Sequence, residues 1–121
     1  NNIEFVGFLS NIDTVNIIKK SRAVITCTKL LEGQPRLLSE ASVYGIPSIF
    51  PQTGGLLEYF PKDYQLSFEQ NNYFELLQKI NLLNSEEKMI NISKNLFIYA
   101  NKLYDFEKMY LKIEKILNEK N

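Results

Sequence analysis

The stretch from Ala23 to Pro47 restricts the fold more than any other part of the chain. An apolar run, Ala23-Val24-Ile25-Thr26-Cys27-Thr28, leads through a polar loop into Leu38, Ala41 and Tyr44 at helical spacing, closed by Gly45. A short apolar run ahead of a 3.6-residue repeat reads as a buried strand, a loop and a helix. Gly33 lets a ligand or a neighbouring backbone come close, Pro35 suits a first helical position where an N–H would go unused, and Gly45 ends the helix. The amides of Arg36 and Leu37 are then left without intrahelical partners at the positive end of the helix, a ready place for an anion.

Two carboxylates, Glu32 and Glu40, flank that helix start. At a rise of about 1.5 Å per residue, Glu40 lies roughly 7.5 Å along the helix from Pro35, comparable with the span from a diphosphate to its ribose. One acidic side chain for each end of a nucleotide sugar is therefore within reach of this segment. The plainer alternative is two solvated surface charges, which is where most Glu residues are found.

The flanking chain alternates in the same way. Ile3 to Leu9 reads as a strand closing at a turn at Gly7, and Ser10, Asn11 and Asp13 offer caps for a helix with Ile12, Val15 and Ile18 on one face. Pro47 to Phe50 reads as a short buried strand, Pro51 to Gly55 as a loop, Leu56 to Phe60 as a short helix halted by Pro61, and Tyr64 to Phe68 as a last strand. Asn72, Ser85 and Asp105 then cap three helices. Their inward faces are expected to be Phe74, Leu77 and Ile80; Met89, Ile92, Leu96, Tyr99 and Leu103; and Phe106, Met109, Tyr110, Ile113, Ile116 and Leu117. The fold class is α/β: a Rossmann-like parallel sheet with flanking helices, right-handed crossovers, a helical C-terminus, and a ligand edge at the carboxyl ends of the strands. Gly7, the loop from Thr28 to Arg36, and Thr53 to Gly55 would converge there.

Composition narrows the functional classes. Lys plus Arg and Asp plus Glu both number 14 with no basic block, so nothing points to nucleic acid or an anionic membrane. With no His, imidazole chemistry is excluded within this chain, and the lone Cys27 reads as a small core residue rather than a nucleophile. No apolar run approaches a transmembrane length, and the opening Asn-Asn-Ile-Glu is no signal peptide, so a cytoplasmic protein is expected. The opening without Met, directly into a strand, suggests a piece of a longer chain.

Glu32 through Glu40, followed by Ala41 and Tyr44-Gly45-Ile46-Pro47, resembles the E-x7-E signature of the family 4 (group 1) retaining glycosyltransferases, close to E-G-F-x-x-x-x-x-E-A-x-x-x-G-x-P. Glu32, Gly33, Glu40, Ala41, Gly45 and Pro47 fit, and Gln34 stands where the family has an aromatic residue. The resemblance implies a GT-B enzyme of two Rossmann-like domains facing a cleft, of which residues 1–121 are a partial C-terminal donor-binding domain with the N-terminal acceptor domain absent. It implies that Glu32 is the catalytic carboxylate binding sugar hydroxyls, that Glu40 holds the ribose, and that Gly33, Gln34, Arg36 and Leu37 bind the donor. Gly7 resembles the family's turn beside the nucleotide base. Gly54 and Gly55 with Glu58 resemble its G-G-x-x-E loop at the sugar cleft.

The implied donor is a nucleotide diphosphate sugar, with no metal and no other cofactor. The implied acceptor is a saccharide, lipid or other hydroxyl reached through the missing domain, which could also hold the protein at the inner membrane face. The first two strands of the donor domain, which lie in the family's sheet between the strand at Ile3 and that at Ala23, are missing. Either the sheet closes up or their place stays open, and the fragment alone is expected to be inactive. Two rivals share the architecture. A non-catalytic sugar-nucleotide-binding or assembly module would keep the helix and lose a carboxylate, and a nucleotide-sugar epimerase would place His and Arg in the cleft. A flavodoxin-like signalling domain would need clustered acidic residues at its strand ends, which are not found.

Overall fold

A computed structural model describes residues 2–31 and 33–120. Three parallel strands lie in the order β1 (Val24–Ile25), β2 (Ser48–Gln52), β3 (Ser67–Glu69), and the helices are α1 (Asn11–Lys20), α2 (Arg36–Val43), α3 (Tyr73–Leu82), α4 (Glu86–Leu103) and α5 (Phe106–Glu119). A 3-10 helix, Leu56–Tyr59, follows β2. The expected α/β class, with a parallel sheet and a helical C-terminus, is what the chain forms.

β2 is the centre of the sheet because both of its faces are apolar. Phe50 joins Leu38, Leu56, Phe60 and Leu96 on one side, and Ile49 joins Leu66, Phe68 and Met89 on the other. A strand buried on both faces reads as a near-continuous apolar run, as Ile46 to Pro51 does apart from the buried Ser48. α4 serves both clusters, with Met89 near its start in one and Leu96 further along in the other.

The register explains how Pro51 sits inside β2, where the sequence suggested a loop. Val24 pairs with Ser48 and Ile25 with Ile49, and the Ile49 carbonyl accepts from the Thr26 amide at 2.9 Å, so Ile49 faces β1. Two residues on, Pro51 faces the same side, where β1 has already ended at Ile25, and its missing N–H breaks no ladder. Ser48 faces the opposite side, ahead of the Phe50–Ser67 pair that opens the β3 ladder. Tyr64 fills that gap: its hydroxyl donates to the Ser48 carbonyl at 2.6 Å and accepts from the Ser48 amide at 2.8 Å. Its ring packs on Phe50 and Phe60 at centroid distances of 5.7 and 4.6 Å.

The helix ends follow the sequence closely. The side chains of Ser10, Asn72, Ser85 and Asp105 accept from the amides of Asp13, Glu75, Lys88 and Lys108. Gly45 takes φ +69°, the left-handed geometry of a helix-ending glycine, tight against α4.

Several expected faces are corrected. Ile3 to Leu9 forms no strand: among the described residues it pairs with no sheet edge, and Phe5 and Phe8 are fully exposed, since alternation alone cannot hold a strand without a neighbour. The sheet does not close up over the missing strands: among the described residues β1 pairs only with β2, and its outer edge stays open. β1 stops at Ile25, which leaves Cys27 exposed rather than in the core. Tyr44 is exposed beyond the end of α2, and Ser42 is buried in its place with its hydroxyl donating to the Leu38 carbonyl at 2.8 Å. On α3, Leu76 and Ile80 pack inward while Phe74 and Leu77 face solvent, and on α1 only Ile18 is buried. On α4, Ala100 is buried and Leu103 is exposed. The whole apolar stripe of α5, from Phe106 to Leu117, is exposed.

Candidate functional site

α2 begins one residue later than its sequence suggests. Pro35 is the N-cap, with φ −66° and ψ 127°, and no side chain caps the helix. Proline has no N–H, so the first donors at this positive helix end belong to Arg36 and Leu37. A cation in the first turn opposes the helix dipole, and here the Arg36 side chain is turned along the helix instead. Its Nε donates to Glu40 Oε1 at 2.7 Å, with the guanidinium largely exposed and the carboxylate 21% exposed. Glu40 therefore stands one turn above the mouth with one oxygen engaged.

The second part of the site comes from the end of β2. The strand runs through Gln52 into Thr53, which is buried, then into Gly54 at φ +54° and Gly55. A Cβ placed on Gly55 would lie 3.8 Å from the Gly33 carbonyl oxygen and 3.9 Å from the Glu58 carboxyl. The loop before α2 and the turn after β2 therefore meet, with the carboxylate of the 3-10 helix beside them. Tyr99 fixes that helix by donating from its hydroxyl to the Glu58 carbonyl at 3.2 Å. Thr26 and Thr53, at the carboxyl ends of β1 and β2, bury hydroxyl oxygens that find no hydrogen-bond partner among the described residues. Buried polar atoms without partners are uncommon, and two of them stand at this one sheet edge.

A third loop reaches the same edge. Gln70, after β3, donates from Nε2 to the Lys29 carbonyl at 3.2 Å, and Cys27, Thr28, Lys29, Gln70, Asn71 and Tyr73 line a hollow there. Thr28 turns inward on its own loop, its hydroxyl accepting from the Leu30 amide at 3.1 Å.

Of the residues singled out from sequence, Gly33, Gln34, Arg36, Leu37, Gly54 and Gly55 are gathered at this edge, with Glu40 one turn along. Glu32 lies outside the described residues. Gly7, at φ +65°, belongs to the exposed segment ahead of α1, which is not a strand of the sheet. Sequence reasoning missed Ser39 and Tyr104. The Tyr104 hydroxyl, at the end of α4, donates to Ser39 Oγ at 3.0 Å and accepts from Gln34 Nε2 at 3.1 Å. No local pattern announces a contact between residues so far apart in the chain.

Among the described residues, no three His, Cys, Asp or Glu side chains converge on a possible metal position, and no helix is long and apolar enough to cross a membrane.

A parallel sheet whose strands end at a glycine turn and an uncapped helix start defines a Rossmann-like α/β protein, a fold class in which ligands bind at the carboxyl edge of the sheet. Comparison with protein-family models matches residues 1–102 to the glycosyl transferases group 1, and the chain belongs to that family. No curated protein and no solved structure matches it.

Proposed function

We propose that this chain is the donor-binding part of a retaining glycosyltransferase, and that its crevice takes a nucleotide diphosphate sugar. The observation that carries this reading is the meeting of the α2 start with the Gly54–Gly55 turn, Gly33 carbonyl to Gly55, beside the Glu58 carboxylate. The Arg36 and Leu37 amides would stabilise the negative charge that builds on the diphosphate as the bond to the sugar breaks. Such preorganised dipoles act without reorganising at the moment of reaction and need no metal. Glu40 would accept hydrogen bonds from the ribose hydroxyls. Glu32 would bind the sugar on the face where positive oxocarbenium character develops. The acceptor, a saccharide, lipid or other hydroxyl, would come from outside this domain, which by itself transfers no sugar.

Titration calorimetry of the protein with uridine, guanosine and adenosine diphosphates and their glucose conjugates tests the reading. Saturable one-to-one binding of at least one conjugate is expected, and no heat from any of the six would overturn it.

A further inference from the structure

The hydrogen bonds beneath Gln34 run in one direction. Ser39 Oγ donates to the Pro35 carbonyl at 3.4 Å, and the Tyr104 hydroxyl donates to Ser39 Oγ at 3.0 Å. Each hydroxyl has one hydrogen, and both are spent on the way to a carbonyl that can only accept. Whatever Gln34 presents to this pair must therefore be a donor. Its Nε2 lies 3.1 Å from the Tyr104 hydroxyl oxygen and 3.4 Å from Ser39 Oγ, two acceptors only 3.0 Å apart, so the donor end of the amide faces this pair. The end left over is Oε1, which has no hydrogen-bond partner among the described residues. Gln34 is exposed, and it lies between the Gly33 carbonyl that meets the Gly55 turn and the Pro35 cap of α2.

We propose that Gln34 is a specificity residue, accepting through Oε1 a hydrogen bond from a hydroxyl of the donor's sugar, and that Tyr104 and Ser39 are positioning residues that hold its amide in that sense. The inference rests on the proposed nucleotide-sugar site and adds to it a division of labour. A carbonyl oxygen cannot bond to a phosphate oxygen, since both are acceptors, so this contact discriminates the sugar and not the diphosphate. A hydroxyl-bearing sugar is favoured over an analogue lacking that hydroxyl.

Two readouts decide it. In the 15N spectrum of the wild-type protein, the Gln34 side-chain amide should be shifted from free glutamine and slowed in its exchange with water; in Tyr104→Phe both signatures should be lost. In calorimetry with each nucleoside diphosphate and its glucose conjugate, Tyr104→Phe and Gln34→Met should each weaken the conjugate about 3–10-fold and leave the bare diphosphate within about twofold. The double variant should lose no more than either alone, because both act on one contact. An unchanged Gln34 amide in Tyr104→Phe, or an equal loss for diphosphate and conjugate, would overturn the proposal. Wild-type protein that binds no member of the panel would end both the proposed function and the hydroxyl contact, while the amide spectrum would still decide the orientation of the network.

Discussion

Replacing Glu40 by Gln separates its two possible duties, because they differ in size. In the free protein Glu40 holds Arg36 across one helical turn at 2.7 Å, with the arginine side chain 73% exposed. Exposed pairs of this spacing contribute about 0.3–0.5 kcal/mol, and the arginine-first order is the weaker one because it sets a cation at the positive helix end. Losing the pair should lower the melting temperature by only about 2 °C for a domain of this length. Ligand binding should respond far more. If ribose hydroxyls donate to this partly buried carboxylate, removing its charge costs about 1–3 kcal/mol, roughly 5–150-fold in donor affinity. Calorimetry and thermal melting on the same samples give both numbers. Equal donor affinities for wild type and Glu40→Gln, whatever the melting temperature, would refute the assignment of Glu40 to the ribose.

Two glycines should behave in opposite ways. Gly45→Ala would place a Cβ 3.3 Å from both the Phe97 Cβ and the Ser93 carbonyl at φ +69°, so a loss of about 1–3 kcal/mol is expected in urea denaturation. Gly55→Ala meets only ordinary contacts at 3.8–3.9 Å, so its stability should stay within about 0.5 kcal/mol while the methyl group facing Gly33 weakens donor binding. Tyr64→Phe leaves the Ser48 amide and carbonyl without their partner, at a cost of about 1–3 kcal/mol near neutral pH. Burial pushes the Tyr64 phenol well above its ordinary value of 10.0, a rise that its hydrogen bond with Ser48 partly opposes. Its proton is then held more tightly folded than unfolded, so its contribution is complete below about pH 10 and is lost as pH rises beyond it. The stability gap between wild type and Tyr64→Phe should therefore narrow above pH 10, and a gap constant to pH 11.5 would contradict this.

Local chemistry was legible in the sequence wherever a residue acts on its own neighbours. Ser10, Asn72, Ser85 and Asp105 cap as their spacing implies, Gly45 takes the left-handed turn, and the Leu38 face of α2 is buried. What the sequence could not carry is what lies opposite an apolar stripe. Phe106 to Leu117 has a clear helical period and no cover, Ile3 to Leu9 alternates without an edge to join, and the α3 stripe turns so that Leu76 rather than Leu77 meets the sheet. Pro51 was misplaced for a related reason. Its tolerance inside β2 depends on where β1 ends, a fact of pairing and not of composition. At the site, the motif residues Gly33 to Glu40 were readable because they are contiguous. Tyr104 was not, since it reaches Ser39 across 65 residues of chain.

The central claim, that the start of α2 cradles a diphosphate, is tested most directly by amide chemical-shift mapping of the labelled protein during titration with a nucleotide sugar. The account predicts saturable shifts, following one binding curve, at Gly33, Arg36, Leu37, Gly54 and Gly55. Shifts confined to the groove between Pro61–Gln65 and α4 on the far side of Tyr64, with Arg36 and Leu37 unmoved at saturation, would contradict it.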